Sequence, residues 1–343
     1  MSEKFYFLVN DTQYDNHHGC LTVIHNLHAA MNSRGWTCCG ALPVSSNASS
    51  LKKYQDALSK AALVIVNGEG SLHHDSRNAN RLYDVCKQLI LTKPIVLINA
   101  LWQDNNIQKW RPLLEQFKAV YVRDKQSLEL LSRASIEASY APDLTFYDYA
   151  RPMKKSASAQ NYAISDSVIN QWTEKALIYC AEQPNIDFIT LFTGRIKHKR
   201  GSKDFWKAIK YKIYPFLYEC FGISIPPRYR SLRYAIENTP DFVESLHTYR
   251  AICVARYHAL CFVIQQEIPF VAIRSNSHKS EALLSEIDLP PTLFLATSEN
   301  MSGVTEKLKY ISEHYEEFRL KIIEFKYQAN VSINAMFDEI TRG

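Results

Sequence analysis

No stretch of the 343 residues approaches the roughly 20 consecutive apolar residues that a membrane-crossing helix needs. The opening residues, MSEKFYFLVND, lack a charged region followed by a long apolar one, so no secretion signal is expected. The eight cysteines lack the spacing of a disulfide framework or a metal site. Cys38 and Cys39 are adjacent, and Cys20, Cys86, Cys180, Cys220, Cys253 and Cys261 are scattered among apolar residues. Free, mostly buried thiols in a reducing cytoplasm are the expectation. No internal repeat is visible. The net charge is +5, yet no recognised nucleic-acid motif accompanies it, so nucleic acid is not an expected partner.

What is present is an ordinary globular composition, 46% hydrophobic and 22% charged, on a chain long enough for two domains. Short apolar runs alternate with amphipathic stretches. Strands are expected at Phe5–Val9, Ala62–Val66, Pro94–Ala100 and Ala119–Val122. Helices are expected at His18–Ser33, Asn80–Leu91, Trp110–Lys118 and Lys125–Ser132. Buried strands alternating with helices imply a doubly wound parallel sheet. The polar stretch YDYARPMKKSASAQ, Tyr147–Gln160, interrupts the pattern and reads as a crossover between domains. Strands at Ala163–Ile164, Phe188–Phe192, Ala251–Val254 and Phe270–Ile273 then form a second set, with a helix at Ser167–Gln183. The remainder, Ser298–Phe337, reads as mostly helical. The expected fold is α/β, with two Rossmann-like domains facing across a cleft: an N-terminal domain over 1–150, a C-terminal domain with the donor site over 151–300, and a helical segment over 301–343.

In open α/β sheets, ligands bind beyond the carboxyl ends of the strands. Arg256, His258 and Lys279 follow two such ends, and three potential cations converging there suit an anionic ligand. The plainer reading of Arg256 and His258 is that they cap and solvate a strand end. Asn67-Gly68-Glu69-Gly70-Ser71 follows a buried strand, where glycines permit a tight turn and exposed amides can cradle an anion. His73 and His74 follow it, either as site residues or as helix-entry hydrogen-bonders. Asp11, His17 and His18 follow the first strand, on the wall of the cleft opposite Arg256. Adjacent histidines point in different directions and rarely chelate one ion together, so no metal is expected. Arg123 either points at the cleft or pairs with a neighbour, Asp124 and Ser127 read as a helix cap, and Asp143 as a cap or the partner of Arg123.

The ordered set comprises Gly68–Leu72, V-R-D-x-x-S at Val122–Ser127, A-P-D at Ala141–Asp143, I-S-D-S at Ile164–Ser167, R-x-H at Arg256–His258, and Pro269–Ile273 leading to Lys279. Together these resemble the polysaccharide pyruvyl transferase family from about residue 5 to 290. The resemblance implies a GT-B-like fold and transfer of an enolpyruvyl or pyruvyl unit from phosphoenolpyruvate to a sugar of a surface glycan such as capsule or lipopolysaccharide. It implies that Arg256 and Lys279 hold the donor, with Gly68, Gly70, Ser71 and Arg123 beside them, and that His258 is the acid/base group, with Glu69 and His74 as further candidates. Asp11, His17 and His18 would line the acceptor side. Glu69 inside the glycine turn and the extra histidines keep an alternative open. This is glycosyl transfer from a CMP- or UDP-activated sugar, with Glu69 or Asp11 as the base. A third reading is a non-catalytic glycan-assembly protein. No cofactor beyond the donor is implied.

From Arg195 to Arg233 the chain carries eleven Lys/Arg interleaved with aromatics. Such a segment suits peripheral contact with anionic lipid at the inner face of the membrane, and hence a lipid-linked glycan acceptor. The alternatives are a solvated helix packed on the second domain and a glycan groove.

Overall fold

Runs of β-branched and aromatic residues too short for buried helices become parallel strands in the computed structural model. It describes residues 3–147, 159–194, 225–274, 277–296 and 301–342, together with 213, 214, 216, 217 and 220. Two compact units emerge. The first holds Met1–Asp15, Thr22–Asp148 and Tyr327–Gly343; the second holds Asn16–Leu21 and Tyr149–Lys326. The last helix, Glu316–Thr341, thus contributes to both.

The first unit carries β1 (Lys4–Asp11), β2 (Trp36–Pro43), β3 (Leu63–Asn67), β4 (Ile95–Ala100), β5 (Ala119–Val122) and β6 (Ser139–Tyr140) in the order β2-β1-β3-β4-β5-β6. Every pairing in it is parallel. β3 and β4 are buried at every position, which is why both read as unbroken apolar runs rather than alternating ones. Phe7, Val9, Val64, Val66, Ile95 and Leu97 pack with Leu82, Val85 and Leu89 from the helix Arg77–Leu89 in one core. At the far end of the chain, Arg34 donates to Asp338 at 2.8 Å, fixing the last helix on this unit.

The second unit carries β7 (Tyr162–Ser167), β8 (Ile186–Ile189), β9 (Ala251–Ala255), β10 (Phe270–Ile273) and β11 (Leu295–Ala296), ordered β11-β10-β9-β7-β8 and again wholly parallel. Its two central neighbours, β7 and β9, are buried throughout. Read from β8, this order has the same pattern as the first sheet. The units therefore share one winding although no sequence repeat links them. In each, strand order reverses beside the first strand of the unit, between β1 and β3 and between β7 and β9. Such switch points are where doubly wound sheets hold ligands. Among the described residues, no helix is long and apolar enough to cross a membrane.

Candidate functional site

The switch point of the first unit is closed by a polar network. Asn10, next to last in β1, lies in the left-handed region (φ 66°). Its side-chain amide donates to the Asn67 carbonyl at 2.7 Å and to Ser71 Oγ at 3.1 Å. Glu69 is buried, and its Oε2 accepts from Thr12 Oγ1 at 2.6 Å and from Asn67 Nδ2 at 3.3 Å. A Cβ on Gly68 would lie 2.6 Å from Ala100, so the turn passes β4 only as glycine. Gly70 takes a left-handed conformation (φ 64°). Asp11 is buried and accepts from the Gln13 backbone amide at 3.1 Å. Gly68, Glu69, Gly70, Ser71 and Asp11 are thus brought together at one sheet end, with Glu69 joining the loops after β1 and β3.

Two other sequence candidates of this unit stand apart from that network. His74 is exposed, left-handed (φ 56°), and pairs with Asp104 at 3.2 Å. Arg123 is buried and donates to Asp143 Oδ2 at 2.9 Å. Of the alternatives read from sequence, pairing with Asp143 is the one the geometry displays. Asp143 also caps the turn Leu144–Phe146 by accepting from the Thr145 amide at 3.0 Å. Asp124 caps the helix Lys125–Arg133, accepting from the Ser127 amide and from its hydroxyl, both at 2.7 Å.

The switch point of the second unit gathers the remaining candidates. Ser165 at the end of β7 accepts the Ala255 amide of β9 at 2.8 Å, tying the two strands where they diverge. The next residue, Asp166, is buried. Its Oδ2 accepts from Arg256 Nε at 2.7 Å and Nη2 at 2.6 Å, and its Oδ1 accepts the Leu191 amide at 3.0 Å. Arg256 Nη2 also donates to the Ser167 carbonyl at 3.2 Å, and the guanidinium lies 4.8 Å from the Phe192 ring centre. Arg256 is therefore an aimed cation rather than a solvated strand-end charge. Lys279 opens the helix Lys279–Glu286 beyond β10 and is half-buried.

One expectation needs correction. His17 and His18 were expected on the wall opposite Arg256. They belong instead to the second unit, because Asn16–Leu21 pairs with the chain after β8. His17 bridges Phe192 in antiparallel fashion, the His18 amide donates to the Leu191 carbonyl at 2.9 Å, and the Thr193 amide donates to the Asn16 carbonyl at 3.0 Å. The His17 and His258 ring centres are 5.5 Å apart. Burial holds His17 well below the usual imidazole range, reinforced by Arg256 and His258, so it is neutral at physiological pH. His18 is fully buried, stacked on Phe242 at 4.4 Å, and bonded to Thr239 Oγ1 at 3.1 Å; burial pushes it down to about 4. His18 thus has the surroundings of a packed core imidazole.

Glycine makes this clustering possible. A Cβ on Gly19 would lie 2.2–2.4 Å from His258 Cγ, Cβ and Nδ1, so the loop meets His258 only without a side chain there. Sequence reading gave no role to Asp166, Phe192 or Cys20. Asp166 stood inside the I-S-D-S motif, and its place at a strand's carboxyl end was the available signal. For Cys20 the available signal was its place three residues after His17, and for Phe192 there was none, because partners at that separation are set by the fold.

The polysaccharide pyruvyl transferase family model matches residues 10–277 of this sequence. The chain belongs to the polysaccharide pyruvyl transferase family. As a member, it is a transferase of polysaccharide biosynthesis. Both switch-point sites fall inside the matched span except for Lys279, which lies two residues beyond it. A comparison with curated protein sequences finds no match. Among solved structures, the family member is similar in fold to a Listeria monocytogenes protein taken to be a UDP-N-acetylglucosamine 2-epimerase (9% identity, 98% of each chain covered, TM-score 0.55). It is also similar to an alpha-glucosyltransferase solved with UDP-glucose and DNA (10%, 99% of each chain, 0.51). A UDP-GlcNAc 2-epimerase from Methanocaldococcus jannaschii is comparable (10%, 90% of this chain and 92% of that one, 0.50). At such identities the likeness speaks for the fold of two Rossmann-like domains, as expected from sequence.

Proposed function

We propose that this transferase moves a pyruvyl unit from phosphoenolpyruvate onto a sugar of a surface glycan, with the site after β7 and β9 holding the donor. The observation that carries the reading is the Asp166–Arg256 arrangement beside His258. Asp166 and the Ser167 carbonyl engage Nε and Nη2, which fixes the guanidinium plane and leaves the Nη1 edge to meet a carboxylate or phosphate. Because Asp166 offsets the charge of Arg256, a multiply charged donor needs a second cation, and Lys279 is our candidate.

Ketal formation requires a proton delivered to the donor methylene carbon and protons removed from two acceptor hydroxyls. One of those protons balances the new methyl group and the other leaves with phosphate. His258 is our candidate for the proton carrier. His17, held neutral beside it, adds no competing positive charge. The acceptor is proposed to be a glycan, lipid-linked if the basic segment meets a membrane. Of that segment, residues 195–212, 215, 218, 219 and 221–224 lie outside the described residues. Of its described arginines, Arg230 pairs with Glu174 at 3.4 Å, and Arg228 and Arg233 lie over Tyr229 and Tyr234. Co-sedimentation with vesicles should depend on anionic lipid; binding indifferent to lipid charge would remove the membrane from this reading.

Thermal stability measured with phosphoenolpyruvate and with CMP and UDP tests the donor directly. Phosphoenolpyruvate should raise the melting temperature of the wild type and not of Arg256→Ala. Stabilisation by CMP or UDP but not by phosphoenolpyruvate would replace pyruvyl transfer with glycosyl transfer.

A further inference from the structure

The second switch point holds a combination that proton transfer does not require. His17, Cys20 and His258 are all buried, and one ligand atom from each lies within 4.8 Å of the other two. His17 and Cys20 stand three residues apart, His17 just before the helix His18–Asn32 and Cys20 in its first turn. That spacing brings an imidazole and a thiol to the same end of the helix. His258 comes to them from the start of the helix Tyr257–Gln265, against the bare backbone of Gly19.

We propose that His17, Cys20 and His258 form a three-ligand site for a thiophilic divalent cation of the zinc class. Two imidazoles and a thiolate suit such an ion, whereas magnesium and calcium prefer oxygen ligands. Around a tetrahedral zinc, bond lengths of about 2.0–2.3 Å place ligand atoms about 3.3–3.8 Å apart. The three atoms therefore need to close by about 1 Å, a side-chain adjustment. The Gly19 amide donates to His17 Nδ1 at 3.2 Å, marking Nδ1 as the lone-pair nitrogen of the neutral ring. Cys20 must lose its thiol proton, so binding releases about one proton per ion and strengthens as pH rises. Three protein ligands leave a fourth position for water or another small donor. The arginine nearby is matched by Asp166, which limits repulsion of a cation.

This inference shares His258 with the proposed reaction but does not rest on it, because its test reads metal rather than turnover. The metal-free full chain is titrated with cobalt(II), a spectroscopic stand-in for zinc. One equivalent should produce a thiolate-to-cobalt charge-transfer band and tetrahedral visible absorption, both abolished by added zinc. The band should vanish in Cys20→Ser, and affinity should fall at least tenfold in His17→Gln, with circular dichroism confirming that both variants fold. Cys220→Ser, which removes an exposed thiol, should leave the spectrum unchanged. Absence of the thiolate band in the wild type, or its persistence at full strength in Cys20→Ser, would overturn the proposal.

Discussion

Gly19 and Asp143 show how a single residue's role follows from what it touches. At Gly19, an added methyl has nowhere to go: its nearest neighbours are the Cβ and ring of His258, themselves buried. Gly19→Ala should therefore move His258 or the loop and lower transferase activity by at least tenfold, while urea unfolding shows a loss of about 1–3 kcal/mol, the usual cost of overpacking. Unchanged activity would mean that His258 does not act from this position. At Asp143, truncation leaves Arg123 charged and buried, so Asp143→Ala should cost about 3–5 kcal/mol by denaturant unfolding. Arg123→Met should also destabilise the fold yet leave the phosphoenolpyruvate-induced melting shift intact. Loss of that shift in a folded Arg123→Met protein would return Arg123 to the donor site. Legibility at this scale divides along the same line. Arg256 and His258 could be found because both follow one strand end. Asp166, ninety residues earlier, could not be joined to them until β7 was known to pair with β9.

Among the elements, the strands that were legible are those buried on both faces. β5 and β10 fall where the apolar runs placed them, and β1, β3, β4 and β9 differ only at their ends. β2 escaped notice because it lies at a sheet edge and is mostly half-buried, so Thr37, Cys38, Cys39 and Gly40 give no apolar run. β6 and β11 are two residues long, too short for any periodicity. β8 was expected at Phe188–Phe192 but ends at Ile189. Leu191 and Phe192 leave the sheet to meet Asp166 and His17, so their apolarity serves the site rather than the ladder. Helix starts were legible in part: His18 and Lys125 open helices as expected, whereas the starts expected at Asn80, Trp110 and Ser167 fall three residues from the observed Arg77, Ile107 and Asn170. Asp124 gives its helix two acceptor contacts, so Asp124→Ala should lower stability by about 1 kcal/mol, and Asp124→Asn by less. A loss above about 3 kcal/mol in chemical denaturation would show that Asp124 supports more than the helix end.

For the molecule as a whole, a dependence of stability on acid follows from Glu267, Lys326 and Arg319. Glu267 ends the segment after the site helix in a left-handed conformation (φ 54°), and the last helix supplies both cations. Lys326 donates to Glu267 Oε1 at 2.8 Å and Arg319 Nε to Oε2 at 2.9 Å. Burial pushes Glu267 upward, but hydrogen bonds and charge from Lys326 and Arg319 outweigh it, so its carboxyl lies below the usual range. A carboxylate with a depressed folded pKa stabilises the fold above its unfolded pKa, about 4.3, and loses that contribution as pH falls through the folded value. Lys326 shifts downward mainly through burial, despite Glu267. Glu267→Gln keeps the side chain's shape but removes the counter-charge from a lysine that is almost fully buried. The variant should therefore be less stable at pH 7 by a few kcal/mol, on the order of a broken buried pair. Its stability should also fall less steeply than that of the wild type between about pH 5 and 3. Urea unfolding of both proteins across that range measures the two effects together. Parallel acid limbs would show that Glu267 does not carry the charge that holds the last helix to the second unit.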